Sequence, residues 1–218
     1  MLKKLLKRVC KNEEGITGLE TAIILIAFVV VAAVFAYTVL SAGLFSTQKS
    51  QEAVYSGLQE AQSTVILKGG IIATSESAGA SGNISQLSFV VSNALGGEAI
   101  DFTAPSAASD NGGTAASSSS NKVVINYVDS NQHVNDLYWT LDKLGNADSD
   151  SLLEQEEKFQ ITIGNATASA AGGNLLDALT TNLTTSKKFS VIVNTPVGAV
   201  LEIERTTPAY MDTIVNLH

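Results

Sequence analysis

An uninterrupted apolar run from Ala22 to Leu40 limits what this chain can fold into more than any other feature. The run contains 19 residues without a formal charge, and nearly all of them are aliphatic or aromatic. A helix that crosses a bilayer needs about 20 such residues, so the run predicts a membrane-spanning helix. Glu20 stands just before the run, where a carboxylate in hydrocarbon is costly unless it finds a partner.

Charge is distributed unevenly on the two sides of this run. The first 11 residues contain five of the 13 basic side chains. Without residues 1–15, 8 basic and 19 acidic side chains remain, so the net charge changes from −8 to −11. This acidic composition argues against nucleic acid as a partner, because nucleic-acid-binding proteins present a basic surface. The only cysteine, Cys10, lies in the basic segment, so no internal disulfide can form.

The basic segment and the apolar run together permit three interpretations. A conventional secretory signal would be cut after the small residues 41–43, which would remove the apolar run. A permanent single-pass anchor would keep the run, with the basic residues inside the cell. Cleavage after Gly15 would remove only a leader, residues 1–15, and would leave the apolar helix at the start of the mature protein.

The segment Gly15–Leu58 favours the third interpretation. Its sequence, GITGLETAIILIAFVVVAAVFAYTVLSAGLFSTQKSQEAVYSGL, resembles the N-terminus of archaeal flagellins (archaellins), which belong to the type IV pilin-like class. The C-terminal FSVIVNTPVGAVLEIERTTPAYMDTIVNL is similar more loosely. The resemblance implies that a prepilin-type peptidase cuts between Gly15 and Ile16. It also implies a membrane assembly platform with its ATPase, and a helical polymer of this chain with itself or with paralogous subunits.

Cleavage would give Glu20 a role. The new amine of Ile16 lies four residues before Glu20, so it can meet that carboxylate on the same helix or on a neighbouring subunit. An unpaired carboxylate in an apolar bundle is strongly penalised, whereas a paired one is tolerated. We therefore expect Glu20 to set the axial register between subunits. The alternative is that Glu20 rests in the lipid headgroup layer with no specific partner.

The periodicity of the chain predicts an α+β fold. Val54, Leu58, Ala61 and Val65 continue the helical spacing, so we expect one helix over residues 16–67, ended by Lys68-Gly69-Gly70. Apolar and polar residues then alternate in several short segments: Leu87–Val91, Val123–Tyr127, Phe159–Ile163 and Ala199–Ile203. Such segments predict that residues 68–218 form an all-β immunoglobulin-like sandwich, the fold that the resemblance also implies.

No catalytic constellation is visible in the sequence. The predicted mature chain has no cysteine nucleophile, no glycine-rich phosphate loop and no histidine pair at ligand spacing. We therefore expect a protein that is not an enzyme. The segment 104–121 has no apolar side chain larger than alanine, so it predicts a flexible surface loop.

Two kinds of modification or ligand site are predicted in the extracellular part. Asn83, Asn165 and Asn182 each begin an Asn-X-Ser/Thr sequon for N-glycosylation. Between residues 145 and 159, Asn146, Asp148, Asp150 and Glu157 occupy positions 1, 3, 5 and 12 of a twelve-residue loop. This spacing resembles a calcium-binding loop, so Ca²⁺ or Mg²⁺ is the expected ligand. The alternative is a solvated acidic turn.

These features favour a structural subunit of the archaellum, the filament used for swimming. The precursor is expected in the cytoplasmic membrane and the mature protein in the extracellular filament. Two alternatives stay open: an adhesive archaeal type IV pilin with the same helix, and a monomeric membrane-anchored extracellular binding domain.

Cleavage between Gly15 and Ile16 predicts that N-terminal sequencing of the extracellular protein begins ITGLE. Replacing Gly15 with a bulky residue should leave an unprocessed form in the membrane. A mature protein that begins at Leu44 or later would contradict this prediction, because the polymerising helix would be lost.

Overall fold

The computed structural model describes residues 14–94, 98–166 and 169–217. Helix α1 spans Glu14–Gln62 and contains 49 residues. The chain divides into two compact units, Met1–Tyr55 and Ser56–His218. The first unit consists of the greater part of α1 together with the N-terminal residues, and the second consists of the last residues of α1 and the β-strands.

Helix α1 is apolar on all sides in the greater part of the first unit. Between Leu19 and Phe45 its large apolar side chains are 55–73% exposed in the single chain. Residues 18–62 are long and apolar enough to cross a membrane. Two hydroxyl groups in the apolar part are satisfied within the helix: Thr21 donates to the Gly18 carbonyl and Thr38 to the Phe35 carbonyl, at 3.0 and 2.8 Å. Such bonds leave no free donor in an apolar environment.

After α1, the described residues of the second unit form eleven strands and one short helix. The strands are β1 Val65–Ser75, β2 Ile84–Asn93, β3 Ile100–Asp101, β4 Val124–Asp129, β5 His133–Val134, β6 Trp139–Leu144, β7 Leu152–Leu153, β8 Lys158–Ile163, β9 Lys188–Asn194, β10 Leu201–Thr206 and β11 Ile214–Leu217. Helix α2, Leu175–Ala178, lies between β8 and β9.

The strands form two antiparallel sheets and one small strand pair. The five-stranded sheet has the order β11-β1-β2-β8-β6, the four-stranded sheet has the order β10-β9-β4-β5, and β3 pairs with β7. Buried side chains from both sheets belong to one hydrophobic core. Phe102, next to β3, meets Trp139 and Phe159 of the five-stranded sheet edge-on, with ring centroids 6.2 and 6.0 Å apart. The predicted α+β fold, a long helix followed by a β-sandwich, is confirmed.

Three of the four alternating segments were predicted correctly. Leu87, Phe89 and Val91 are buried in β2, and the corresponding residues of β4 and β8 are buried in the same way. The prediction was wrong for Ala199, which is exposed because β10 begins only at Leu201. Gly198, with φ +105°, turns the chain at a point where an added Cβ would overlap the Ser63 carbonyl.

The predicted helix end at Leu67 was wrong. Helix α1 ends at Gln62, and residues 65–67 already belong to β1, where they pair with β2. Lys68-Gly69-Gly70 lies inside β1, at an irregularity in the pairing between Lys68 and Ile72. Gly69 has φ +86°, which a glycine adopts without strain. The glycines therefore mark a bulge in a strand.

The segment 104–121 is held by its backbone. The amides of Ala115 and Ala116 donate to the carbonyls of Asp136 and Ser106, at 2.8 and 2.9 Å, and Tyr138 donates to the Gly113 carbonyl at 2.9 Å. Gly113 is buried with φ +72°, and an added Cβ would lie 2.5 Å from the Asn174 carbonyl oxygen. The small side chains that predicted flexibility instead permit this close backbone approach.

Candidate functional site

The predicted processing site lies at the start of α1. The peptide bond between Gly15 and Ile16 is within the helix backbone, while the side chains of residues 14–17 lie outside the described residues. Glu20 is exposed on α1, and within the described part of the chain it makes no hydrogen bond or ion pair. A carboxylate in this position is available to a group on another chain.

Small residues interrupt the large side chains of α1. Gly18 and Gly43 have no heavy atom within 4 Å of an added Cβ in the single chain. Alanines recur along the same segment: Ala22, Ala27, Ala32, Ala33 and Ala36. Small residues allow apolar helices to approach closely, which drives their association where the hydrophobic gain is small. The surface of α1 therefore has the composition of a helix–helix interface.

Two of the predicted glycosylation sites border one surface groove of about 440 Å³. Asn83 precedes β2 and is half-buried, and Asn182 is exposed in the loop after α2; both line the groove. Asn165 lies elsewhere, and its side-chain amide donates to the Ala171 carbonyl at 3.2 Å. The third residue of that sequon, Thr167, lies outside the described residues. Of the three, Asn182 has the most accessible side chain.

Hydrogen bonds of Gln132 and Asp129, which the sequence did not predict, hold the loops that border the groove. We call this set of hydrogen bonds the clamp. The side chain of Gln132 accepts from the amides of Thr180 and Thr181, at 2.9 and 3.2 Å, and donates to the Thr181 carbonyl at 2.6 Å. Asp129 accepts from the Asn131 and Gln132 amides at 2.6 and 3.0 Å. Partial burial alone would raise the pKa of Asp129, but the hydrogen bonds from Asn131, Gln132 and Tyr127 lower it below its ordinary value.

The Asp129 carboxylate also holds the buried Tyr127. The Tyr127 hydroxyl donates to Asp129 at 2.9 Å, and its ring stacks on Phe189 with centroids 5.9 Å apart. Burial, followed by the hydrogen bond and the charge of Asp129, raises the pKa of Tyr127 far above its ordinary value. The Tyr127 hydroxyl therefore keeps its proton and donates it in the hydrogen bond to Asp129. The only sequence signal for this clamp was the polar turn between β4 and β5, whose partner loop is about 50 residues away.

The acidic loop differs in detail from the predicted twelve-residue arrangement. Carboxylate oxygens of Asp148, Glu154 and Glu157 lie within 4.8 Å of one another. Asp150, a residue of the predicted set, is outside this group of acidic residues, whereas Glu154, which the twelve-residue spacing does not include, belongs to it. Asn146 is exposed. Asp150 instead accepts a hydrogen bond from the Leu152 amide at 2.8 Å.

Glu157 is the organising residue of this loop. It is only 7% exposed, and its two carboxylate oxygens accept from the amides of Asp148 and Glu154, at 2.9 and 3.0 Å. Glu156, between Glu154 and Glu157, adopts the left-handed conformation with φ +66°. Oxygen ligands of this kind suit Ca²⁺ or Mg²⁺. The cation site stays a prediction.

Comparisons with known proteins identify the family. The family model for archaeal-type flagellin matches residues 15–205. The chain belongs to the archaeal-type flagellin family. It is 35% identical over 214 residues to Probable flagellin 1 of Archaeoglobus fulgidus, covering 96% of this chain and 98% of that protein. Identity to Probable flagellin 1 of Aeropyrum pernix is 31%, over 93% and 96% of the two chains.

Solved structures agree with this assignment. The archaeal flagellum of Methanospirillum hungatei matches with a TM-score of 0.54 and 28% identity, over 92% of this chain and 98% of that one. The flagellin FlaB1 from Methanocaldococcus jannaschii matches with a TM-score of 0.51 and 12% identity, over 71% and 96% of the two chains, and so supports the fold alone. The resemblance inferred from Gly15–Leu58 is confirmed, and it extends over most of the chain.

Glycosylation of this flagellin at Asn83, Asn165 and Asn182 predicts that the intact mass of the extracellular subunit exceeds that of the bare chain from Ile16. Replacing Asn182 with Gln should remove the mass of one glycan. Asn131→Gln is the matched control, because Asn131 is exposed in the same groove but begins no sequon. A mass equal to that of the bare chain would contradict all three sites.

The predicted cation site is tested by the melting temperature of residues 56–218 in calcium and in chelator. Calcium should raise the melting temperature, because it relieves the repulsion among the clustered carboxylates. Glu154→Gln should abolish the rise if the ligands are the observed cluster, whereas Asn146→Ala should do so if they follow the twelve-residue spacing. Asp142→Asn, exposed on β6, is the control; equal curves for the parent protein in calcium and chelator would leave an acidic turn.

Proposed function

We propose that this chain is a structural subunit of an archaeal flagellar filament and polymerises through α1. One observation carries the proposal: between Leu19 and Phe45, α1 is apolar on every side, with large apolar side chains 55–73% exposed in the single chain. A helix that is hydrophobic all round must be covered by lipid or by other helices. The match to archaeal-type flagellin over residues 15–205 supports helices of further copies as the cover in the assembled state.

Polymerisation moves α1 from one apolar environment to another. Before assembly the helix lies in the cytoplasmic membrane, and afterwards it lies in the core of an extracellular filament. Lipid chains are as apolar as leucine side chains, so the transfer gains little hydrophobic energy, and packing through Gly18 and the alanines becomes decisive. We infer that a membrane assembly platform and its ATPase supply the energy for extraction, after a prepilin-type peptidase has exposed the Ile16 amine.

Glu20 provides the specificity that apolar packing lacks. A smooth apolar helix can slide along its neighbours at little cost, whereas a buried carboxylate penalises every offset that leaves it unpaired. Pairing between Glu20 of one subunit and the Ile16 amine of the same or the next subunit would select one axial offset. This role is supported by the exposure of Glu20 and by its lack of a partner among the described residues.

An adhesive pilin and a monomeric anchored domain are less well supported. The similarity to the Archaeoglobus fulgidus flagellin extends through the second unit, because it covers 96% of this chain. A monomeric binding domain would not require small residues that recur along its apolar helix. The proposed role is structural, and no enzymatic activity is assigned to the second unit.

Replacing Glu20 with Gln is predicted to lower filament yield at least tenfold. Removing one partner of a buried ion pair costs about 3–5 kcal/mol per site, since the other charge stays buried and unpaired. Filaments are counted by electron microscopy, with circular dichroism of residues 56–218 as the check on folding. Glu52→Gln is the matched control, because Glu52 also lies on α1 but is exposed and paired with Lys49 at 2.6 Å. Normal yield from Glu20→Gln would remove the register argument.

A further inference from the structure

The sequence contains a single Asn-Gly dipeptide, Asn111-Gly112. Deamidation of asparagine is least hindered before glycine, because the amide nitrogen of a residue without a side chain approaches the preceding carboxamide freely. Both residues are half-buried, so water reaches them. Asn111 has the left-handed conformation, with φ +52°. The pair therefore combines a labile sequence with a fixed place in the segment 104–121.

The Asn111 carboxamide joins two loops of the second unit. Its Nδ2 donates to the Ser169 carbonyl at 3.1 Å, and its Oδ1 accepts from the Gly172 amide at 3.2 Å. We call these two hydrogen bonds the Asn111 bridge. The main chains also approach closely here, since an added Cβ on Gly173 would overlap the Asn111 carbonyl. The bridge depends on a carboxamide, which supplies both a donor and an acceptor.

Asp177 holds the second loop from the other side. Its Oδ2 accepts from the amides of Ser169 and Asn174, at 2.8 and 2.9 Å. Ser169 is thus fixed at two points, because its amide donates to Asp177 and its carbonyl accepts from Asn111. The Asp177 side chain therefore keeps a partner of the Asn111 bridge in place.

We propose that Asn111 is a site of spontaneous deamidation, which the Asn111 bridge restrains while the two loops are in contact. In the reaction the Gly112 nitrogen bonds to the side-chain carbonyl carbon of Asn111. The carboxamide nitrogen leaves as ammonia and takes the proton of the Gly112 amide with it. Water then adds to one carbonyl of the cyclic imide and breaks its bond to nitrogen, which gives aspartate or isoaspartate.

Two features of the site bear on the rate of this reaction. The Gly112 amide donates to Asp110 Oδ1 at 3.0 Å, so a carboxylate lies within reach of the proton that the attacking nitrogen loses. The carboxamide, in contrast, is fixed at both ends by the Asn111 bridge. Ring closure makes its carbon tetrahedral and removes its nitrogen from Ser169, so the bridge must open for the reaction to proceed.

Deamidation prevents the Asn111 bridge from forming again. Aspartate at position 111 has no donor for the Ser169 carbonyl, so two acceptors would meet there. Isoaspartate also adds one methylene to the main chain next to Gly113, where an added Cβ would lie 2.5 Å from the Asn174 carbonyl oxygen. The product is therefore expected to separate the two loops.

Peptide mapping by mass spectrometry follows this conversion in the full-length chain, held in detergent at mildly alkaline pH. Asn111 should deamidate more slowly in the folded chain than in denaturant. Gly112→Ala should lower the rate in denaturant about tenfold, because a methyl group hinders the attacking nitrogen. That methyl group fits the folded chain, since its nearest neighbour would be the Asp110 carboxylate at 3.2 Å. Asn131, which precedes Gln132, is the internal control and should keep its amide over the same period.

Asp177→Ala tests the restraint, because it removes the acceptor that holds Ser169. It should raise the rate at Asn111 several-fold in the folded chain, whereas Asp212→Ala, exposed before β11, should leave the rate unchanged. Fluorescence of Trp139, the only tryptophan, gives the melting temperature of each variant. Asn111→Asp, which reproduces one product, should lower that temperature by several degrees.

Four outcomes would overturn the proposal. Asn111 would keep its amide in denaturant, or it would deamidate at equal rates in the folded and unfolded parent chain. A folded Asp177→Ala chain would react at the parent rate, or an Asn111→Asp chain would melt at the parent temperature. If Asp177→Ala does not fold, the comparison of the folded and unfolded parent chain decides whether the reaction is restrained.

Discussion

The requirement that an apolar helix be covered on every side governs the rest of this molecule. Between Leu19 and Phe45, helix α1 exposes large aliphatic and aromatic side chains around its whole circumference, and the hydroxyl groups of Thr21 and Thr38 are bonded to its own backbone. Such a helix tolerates two environments only, the lipid bilayer and a bundle of similar helices. The transition between them is nearly neutral in hydrophobic energy. Small residues and one carboxylate therefore determine how closely the helices pack and at which axial offset.

The second unit is under a different constraint, because it must be stable in water without a disulfide. Its two sheets enclose a core in which Trp139, Tyr127 and several phenylalanines are fully buried. The polar loops are tied down by a few acidic side chains that accept backbone amides. Glu157 closes one loop in this way, and Asp129 with Gln132 closes another. Some acidic residues that the sequence alone would place in solvent therefore fix the conformation of loops by accepting hydrogen bonds from backbone amides.

The sequence predicted those features that arise from local periodicity. The apolar run specified α1, and alternation specified β2, β4 and β8, because one-sided burial leaves a direct mark on neighbouring residues. The end of α1 was missed because Val65 fits the helical spacing of Val54 and Leu58, while its strand conformation depends on pairing with Asn93 of β2. Glu154 was missed at the acidic cluster for a similar reason. Between Glu154 and Glu157 the chain contains a left-handed residue, Glu156, a backbone feature that no ligand spacing encodes.

The short connection between α1 and β1 has a mechanical consequence. Only Ser63 and Thr64 separate them; the Ser63 amide donates to the Gln59 carbonyl and the Thr64 carbonyl accepts from Ala94, at 3.0 and 2.9 Å. The strand that follows is interior to its sheet, paired with β2 on one side and β11 on the other. Hydrogen bonds of an antiparallel pair run perpendicular to the strands, so a pull along β1 loads many of them in shear at once. Tension or torque carried by α1 thus enters the domain through a strand that is hydrogen-bonded on both sides, so the load is shared among many bonds.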